Sequence, residues 1–167
     1  ARWYRKAADQ GSAMAQNVLG NMYYNGEGVA KDLEESVKWY RKSADQGFAK
    51  GQFNLGFAYH RGKGVAQDCK EAIIWYRKAA EQGNADAMYY LGECYENGRG
   101  VEEDYEEAVK CFIEADDKDM LGECYLHGLG VERDVGKTIE LWEAACEERC
   151  RYYDVMLKLG HLYGDGI

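Results

Sequence analysis

The chain has 167 residues, no proline, and a formal net charge of -9 from 21 Lys and Arg against 30 Asp and Glu. Hydrophobic residues make up 46% of it, enough for a continuous core, yet no stretch approaches the ~20 apolar residues of a membrane span. Residues 1–83 carry 13 Lys and Arg against 9 Asp and Glu, net +4, while residues 84–167 carry 8 against 21, net -13, which argues against nucleic acid as the ligand of the second half. That acidity has two readings: solvated helix faces and helix N-termini, or a dedicated acidic docking patch.

Trp3, Trp39 and Trp75 stand 36 residues apart, as do Leu19-Gly20, Leu55-Gly56 and Leu91-Gly92. A fixed period of this size is the signature of a solenoid, whose units bury their apolar faces only against one another. The expected division is a single array of about four and a half repeats: partial 1–11, then 12–47, 48–83, 84–115 and 116–149, then partial 150–167. Ala1 aligns with the middle of a unit, and the first residues show no secretory h-region. The chain therefore reads as a slice of a longer array, which leaves an upstream leader open.

Each unit predicts two helices. Helix A begins near Ala13, Ala49 and Ala85 and repeats Ala15, Leu19, Tyr23 (then Gly51, Leu55, Tyr59 and Ala87, Leu91, Tyr95) at a spacing of four, one helical face. Gly20, Gly56, Gly92, Gly122 and Gly160 follow a Leu inside that helix, where glycine costs ~1 kcal/mol relative to Ala. A cost repeated in every unit predicts a close approach that a Cβ would block. A glycine pair, such as Gly26 and Gly28, then ends helix A, and Val29, Val65, Val101 and Val131 turn back to the core. Asp32, Asp68, Asp104 and Asp134 are placed to cap helix B, with Glu35, Glu71 and Glu107 completing a capping box and Lys137 breaking it. Helix B shows Leu33, Val37, Tyr40 and Ala44 on one face, widened by Trp39 and Trp75, and ends at Gly11, Gly47 and Gly83. From Leu91 to Leu121 is only 30 residues, so the fourth helix A must be short and the superhelix irregular after residue 115; the junction after that unit lacks its glycine.

The run Gly51, Leu55-Gly56, Tyr59, Gly62, Gly64-Val65, Asp68, Ala72, Trp75-Tyr76, Ala79-Ala80, Gly83 resembles the Sel-1-like repeat, a relative of the tetratricopeptide repeat. The resemblance covers essentially the whole chain and weakens where Cys111 and Leu141 replace the tryptophan. It implies an all-α fold, a right-handed α-solenoid of antiparallel helix pairs, and an adaptor role in assembling protein complexes.

Positions two before, two after and five after each helix-A Leu lie away from the face set by Leu and Tyr. They vary between units, and the resemblance places ligands of such solenoids on the concave helix-A surface. The candidate partner-binding residues are Asn17, Asn21, Tyr24, Phe53, Phe57, His60, Tyr89, Glu93, Glu96 and Glu123, with Leu126 and His161 beyond them. Phe53, Phe57 and Tyr89 form either an exposed apolar patch or ordinary core against neighbouring helices. If the groove is open, aromatics beside glutamates suit a protein or peptide with apolar and basic side chains.

Six cysteines raise disulfide and metal readings, but Cys94 and Cys124 sit on neighbouring helices too far apart to bridge easily, and Cys146 with Cys150 supplies only two ligands. A cysteine-bridged subgroup of the resembled family pairs cysteines in every repeat, which this chain does not do. Unpaired cysteines favour a reducing, cytoplasmic compartment. No metal and no cofactor is expected. His60, His127 and His161 have no Ser, Cys or Asp at catalytic spacing, which leaves a hydrolase-like role the least supported. An interaction scaffold is the leading function. The alternative is a structural segment that assembles with other copies, as a homo-oligomer, through its repeat ends.

Overall fold

The computed structural model describes residues 2–148 and 153–164. Among the described residues ten helices follow in order: α1 (Arg2–Asp9), α2 (Ala13–Asn25), α3 (Leu33–Asp45), α4 (Ala49–Arg61), α5 (Cys69–Ala80), α6 (Ala85–Glu96), α7 (Tyr105–Glu114), α8 (Lys118–His127), α9 (Val135–Glu148) and α10 (Tyr153–Gly164). Among the described residues there is no strand. Each helix packs on its chain neighbours, and α2 also touches α4, so helices A (α2, α4, α6, α8, α10) and helices B (α1, α3, α5, α7, α9) form two layers of an all-α solenoid.

The core is a row of small clusters rather than one centre. Ala8, Ala15, Leu19 and Trp39 join α1, α2 and α3; Val37, Tyr40, Leu55 and Trp75 join α3, α4 and α5. Ile73, Tyr76, Leu91 and Cys111 join α5, α6 and α7, and Val109, Phe112, Leu121 and Cys124 continue into α8. Each of α2, α4, α6 and α8 is thus held between the helix B before it and the helix B after it. Leu19 and Leu55 are wholly buried, worth roughly 1.5–3 kcal/mol each. Val65, Val101 and Val131 pack half-buried against the same clusters.

The glycine inside helix A seats a ring from helix B. A Cβ on Gly20 would stand 2.5 Å from the Tyr40 ring, one on Gly56 2.8 Å from Tyr76, and one on Gly92 2.5 Å from Phe112. Gly122 seats Trp142 in the same way, and the Trp142 indole donates to the Asp119 carbonyl at 3.2 Å. Gly160 meets nothing within 4 Å. In the turn, Gly62 and Gly64 take φ of +62° and +75°, which L side chains rarely adopt, and Gly64 also lies on the backbone of Leu33 in the preceding unit. This second glycine joins unit to unit.

Asp32, Asp68, Asp104 and Asp134 cap helix B, each accepting from the backbone N–H three residues on. The reciprocal half of the predicted capping box does not form. The Asp32 N–H donates to the Tyr23 carbonyl at 2.9 Å, and the Glu35 and Glu71 carboxylates instead accept from the Trp39 and Trp75 indoles, both at 2.9 Å. An indole one turn on is a better-placed donor than an N–H already engaged. Glu35 also pairs with Lys38 at 3.1 Å, and Glu107, which has Cys111 in place of the tryptophan, keeps the corresponding pair with Lys110.

Gly11, Gly47 and Gly83 end helices B in the left-handed region. In the shortened unit Asp116 takes that role at φ +54°, and Asp117 caps α8 by accepting from the Met120 N–H at 3.0 Å. Both α7 and α8 have 10 residues, against 13 in α3 and α4, so the deletion removes about one turn from each helix. The glycine-free junction after α9, Cys150 included, lies outside the described residues. No helix among the described residues is long and apolar enough to cross a membrane.

Candidate functional site

The site grows from the helix-A layer. Positions two before and two after the Leu leave the seated-ring face and meet the next helix A. Phe53 and Phe57 of α4 therefore touch Tyr90 of α6 at centroid distances of 5.8 and 5.5 Å, and Phe53 stacks on Tyr76 at 6.0 Å. Both are half-buried, as is Tyr89, which lies 6.2 Å from Phe112. The aromatic residues are thus neither a free patch nor closed core: one side braces the layer and the other stays open.

Between α2, α4 and α6 lies a groove of about 350 Å³, lined by Asn21, Tyr24, Tyr40, Phe53, Asn54, Phe57, Ala58, Asp86 and Tyr90. Its polar wall is a short amide network. Asn54 donates to Asn17 at 2.8 Å and to Asn21 at 3.3 Å, and the Tyr40 hydroxyl donates to Asn21 at 2.7 Å. Burial pushes Tyr40 up to about 12, so its hydroxyl keeps its proton and remains a donor. Burial, with Glu93 beside it, also pushes Tyr89 up to about 12.

Not every expected residue reaches this wall. Asn17 is 5% exposed and His60 2% exposed, so neither presents a free side chain. The helix period carries the position five after the Leu toward the following helix A, where His60 meets Cys94 (Nδ1 to Sγ 3.8 Å) and the rings of Tyr76 and Tyr90. Burial, then Arg61 and Arg99, lower the His60 pKa, so the ring is held neutral. Glu93, Glu96 and Glu123 do not line the groove; they lie farther along the same layer, and Glu123 receives Lys158 at 2.8 Å. Burial raises the Glu96 pKa, helped by Glu93 and Glu123. Burial works against the Lys158 charge, but hydrogen bonds to Asp119 and Glu123 prevail and raise its pKa. His127 and His161 are exposed.

Five lining residues were not anticipated from the sequence: Tyr40, Asn54, Ala58, Asp86 and Tyr90. Asn54 and Tyr90 occupy the position one before the Leu, which reads Val18, Asn54, Tyr90 across units. That variability marks it by the same criterion that picked out its neighbours. Asp86 is masked in sequence by its ordinary place in a helix first turn. Among the described residues no group of three or more His, Cys, Asp or Glu is placed to hold a metal ion. The five described cysteines are free, and burial pushes Cys94 up to about 12 and Cys111 and Cys124 up to about 11.

The Sel1 repeat model matches residues 1–12, 13–48, 49–84, 85–115 and 119–149. The chain belongs to the Sel1 repeat family. A protective antigen of uropathogenic Escherichia coli strains, displaying an SLR fold, is 36% identical over 98% of this chain and 36% of its own, with a TM-score of 0.89. A Sel1 repeat protein from Oxalobacter formigenes is 37% identical over 83% of this chain and 58% of its own, with a TM-score of 0.79. The chain thus spans about a third and rather more than half of these two relatives. A protein from Klebsiella pneumoniae subsp. pneumoniae shares the fold at 20% identity and a TM-score of 0.62, over 97% of this chain and 83% of its own. A search of the curated proteins returns no match. Sel1 repeats are commonly protein-interaction scaffolds and typically non-enzymatic.

Proposed function

We propose that this Sel1 array holds a segment of a partner protein in the groove between α2, α4 and α6. The observation that carries the reading is the groove wall itself: half-buried Phe53, Phe57 and Tyr90 beside a row of asparagine amides, at positions that differ from unit to unit while Leu19, Leu55 and Leu91 do not. Aromatic rings already ordered by the scaffold lose little entropy on binding, which is what makes them effective anchors. Variation along that wall fits a surface that reads a partner, whereas uniform positions serve the stack.

The test is selection of displayed random peptides against the 1–167 chain, followed by NMR mapping of a selected peptide. Shifts concentrated in residues 53–58 and 86–90 are expected. The blocking variant is Asp86→Trp, which fills the groove from an exposed helix position and should weaken binding at least tenfold at unchanged helix content. Truncating Phe53 and Phe57 is a poorer control, because both rings brace the core cluster around Tyr76. Shifts on the helix-B layer, or full binding by Asp86→Trp, overturn the proposal.

A further inference from the structure

We infer that the groove reads an extended peptide through its backbone, at Asn21 and Asn54, and selects a basic side chain through Asp86. This rests on the proposed function and names the chemistry of its ligand.

The amide network fixes which atoms are left over. Asn21 Oδ1 is filled by the Tyr40 hydroxyl and the Asn54 amide, and Asn54 Nδ2 is filled by Asn17 and Asn21. Asn21 Nδ2 and Asn54 Oδ1 have no protein partner among the described residues. One open donor and one open acceptor therefore sit on adjacent helices at the groove wall. In an extended chain the N–H and C=O of one residue point to the same side, so one residue of a peptide complements this pair. A folded partner has already spent these backbone groups internally, which favours an unfolded segment.

Charge makes the second half of the argument. Asp86 is the one charged residue lining the groove, is exposed, and forms no ion pair among the described residues. No Lys or Arg lines the wall; the nearest cation described at its rings, Arg61, lies over Phe57 at 5.7 Å. An apolar side chain laid on the open edges of Phe53, Phe57 and Tyr90 brings a neighbouring basic side chain to an unpaired carboxylate, and an acidic one to a repulsive site.

The experiment uses fluorescein-labelled, end-capped heptapeptides Ala-Ala-X-Ala-Z-Ala-Ala, with X as Leu, Phe or Tyr and Z as Arg, Ala or Glu, titrated against the 1–167 chain by anisotropy. Arg peptides should bind about tenfold more tightly than Glu peptides. Asp86→Lys should reverse that order, and N-methylation of the backbone beside X should cost about tenfold on the unmodified protein, which needs no variant to fold. Equal binding of Arg and Glu peptides, or indifference to N-methylation, overturns the inference; the groove reading survives that result if Asp86→Trp still blocks binding. If N-acetyl-leucinamide binds as tightly as the best heptapeptide, the site takes small molecules and the inference falls. Absence of binding by every peptide up to millimolar concentration removes both.

Discussion

At the scale of single residues, the repeat lets one position be compared in several surroundings. Tyr40 and Tyr76 occupy equivalent seats over Gly20 and Gly56, and both are buried. Tyr40 donates its hydroxyl to Asn21, but the matching position in the next unit is Phe57, and the Tyr76 hydroxyl is buried with no partner. A buried hydroxyl without a partner costs ~1–3 kcal/mol, whereas a satisfied one contributes about 1. Tyr76→Phe should therefore raise the urea midpoint, by the equivalent of ~1 kcal/mol, while Tyr40→Phe lowers it by a similar amount. Phe112 already fills the third seat, so the ring alone packs well there. Equal effects of the two substitutions would show that the hydroxyl environments do not differ. His60 gives a pH signature opposite to that of a histidine in an ion pair, whose pKa is raised. Its pKa is depressed in the folded state, so the stability it contributes is complete above its unfolded value of about 6.5 and is lost as pH falls toward the folded one. The slope from this one proton is at most ~1.4 kcal/mol per pH unit. Chemical denaturation at pH 7.5 and 5.5 should show a loss for the native chain that His60→Tyr, which copies Tyr24 at the equivalent position, reduces.

Between helices, the joints are carried by paired choices. Ala7 packs in one cluster with Ala15, and Ala79 in one with Ala87, at the joint from helix B to the next helix A, but the equivalent residues of the middle joint are Ser43 and Gly51. A Cβ on Gly51 would stand 2.7 Å from the Ser43 Cβ, and the Ser43 hydroxyl donates to the Ala13 carbonyl at 2.7 Å. Gly51→Ala alone should lower stability by ~1–3 kcal/mol despite the better helix propensity of Ala. In a Ser43→Ala background, which restores the pairing used at the other joints, less than half of that loss should remain. A double-mutant cycle by urea denaturation measures this, and strict additivity would mean that the two side chains do not compete for one space. The helices themselves were legible because the period of 36 repeats their boundaries, and the close approach at Gly20, Gly56 and Gly92 followed from glycine recurring where it is costly. Other features were not legible. The indole that draws Glu35 away from the capping box lies four residues on, and nothing local ranks it above the backbone N–H. Burial of His60 depends on Cys94 and Tyr90, 34 and 30 residues away. Half of the groove was visible as variable positions; Tyr40 was hidden because it reads as core, and Asp86 because it reads as a helix-start charge.

Taken whole, the molecule is a row of nearest-neighbour contacts with its charge unevenly spread along it. In such an array each unit's protection depends on its own contacts and those of its two neighbours, so stability can differ from end to end. Residues 84–167 carry the net -13, and the same stretch contains the shortened helices α7 and α8, which have less surface to bury. It also lacks the glutamine bridge of the earlier units, in which Gln46 donates to Gln16 at 2.6 Å and Gln82 to Gln52 at 2.7 Å. Lys158, set between Asp119 and Glu123, offsets part of that charge but leaves most of it. Self-repulsion of this kind is screened by salt, with a Debye length falling from ~30 Å at 0.01 M to ~8 Å at 0.15 M. Hydrogen exchange at 10 mM NaCl should therefore show α8 and α9 opening before α3 to α5. Raising NaCl to 150 mM should slow exchange several-fold in α8 and α9 and leave α3 to α5 nearly unchanged, because residues 1–83 carry only +4. A uniform response along the chain would mean that the acidic half is already neutralised locally.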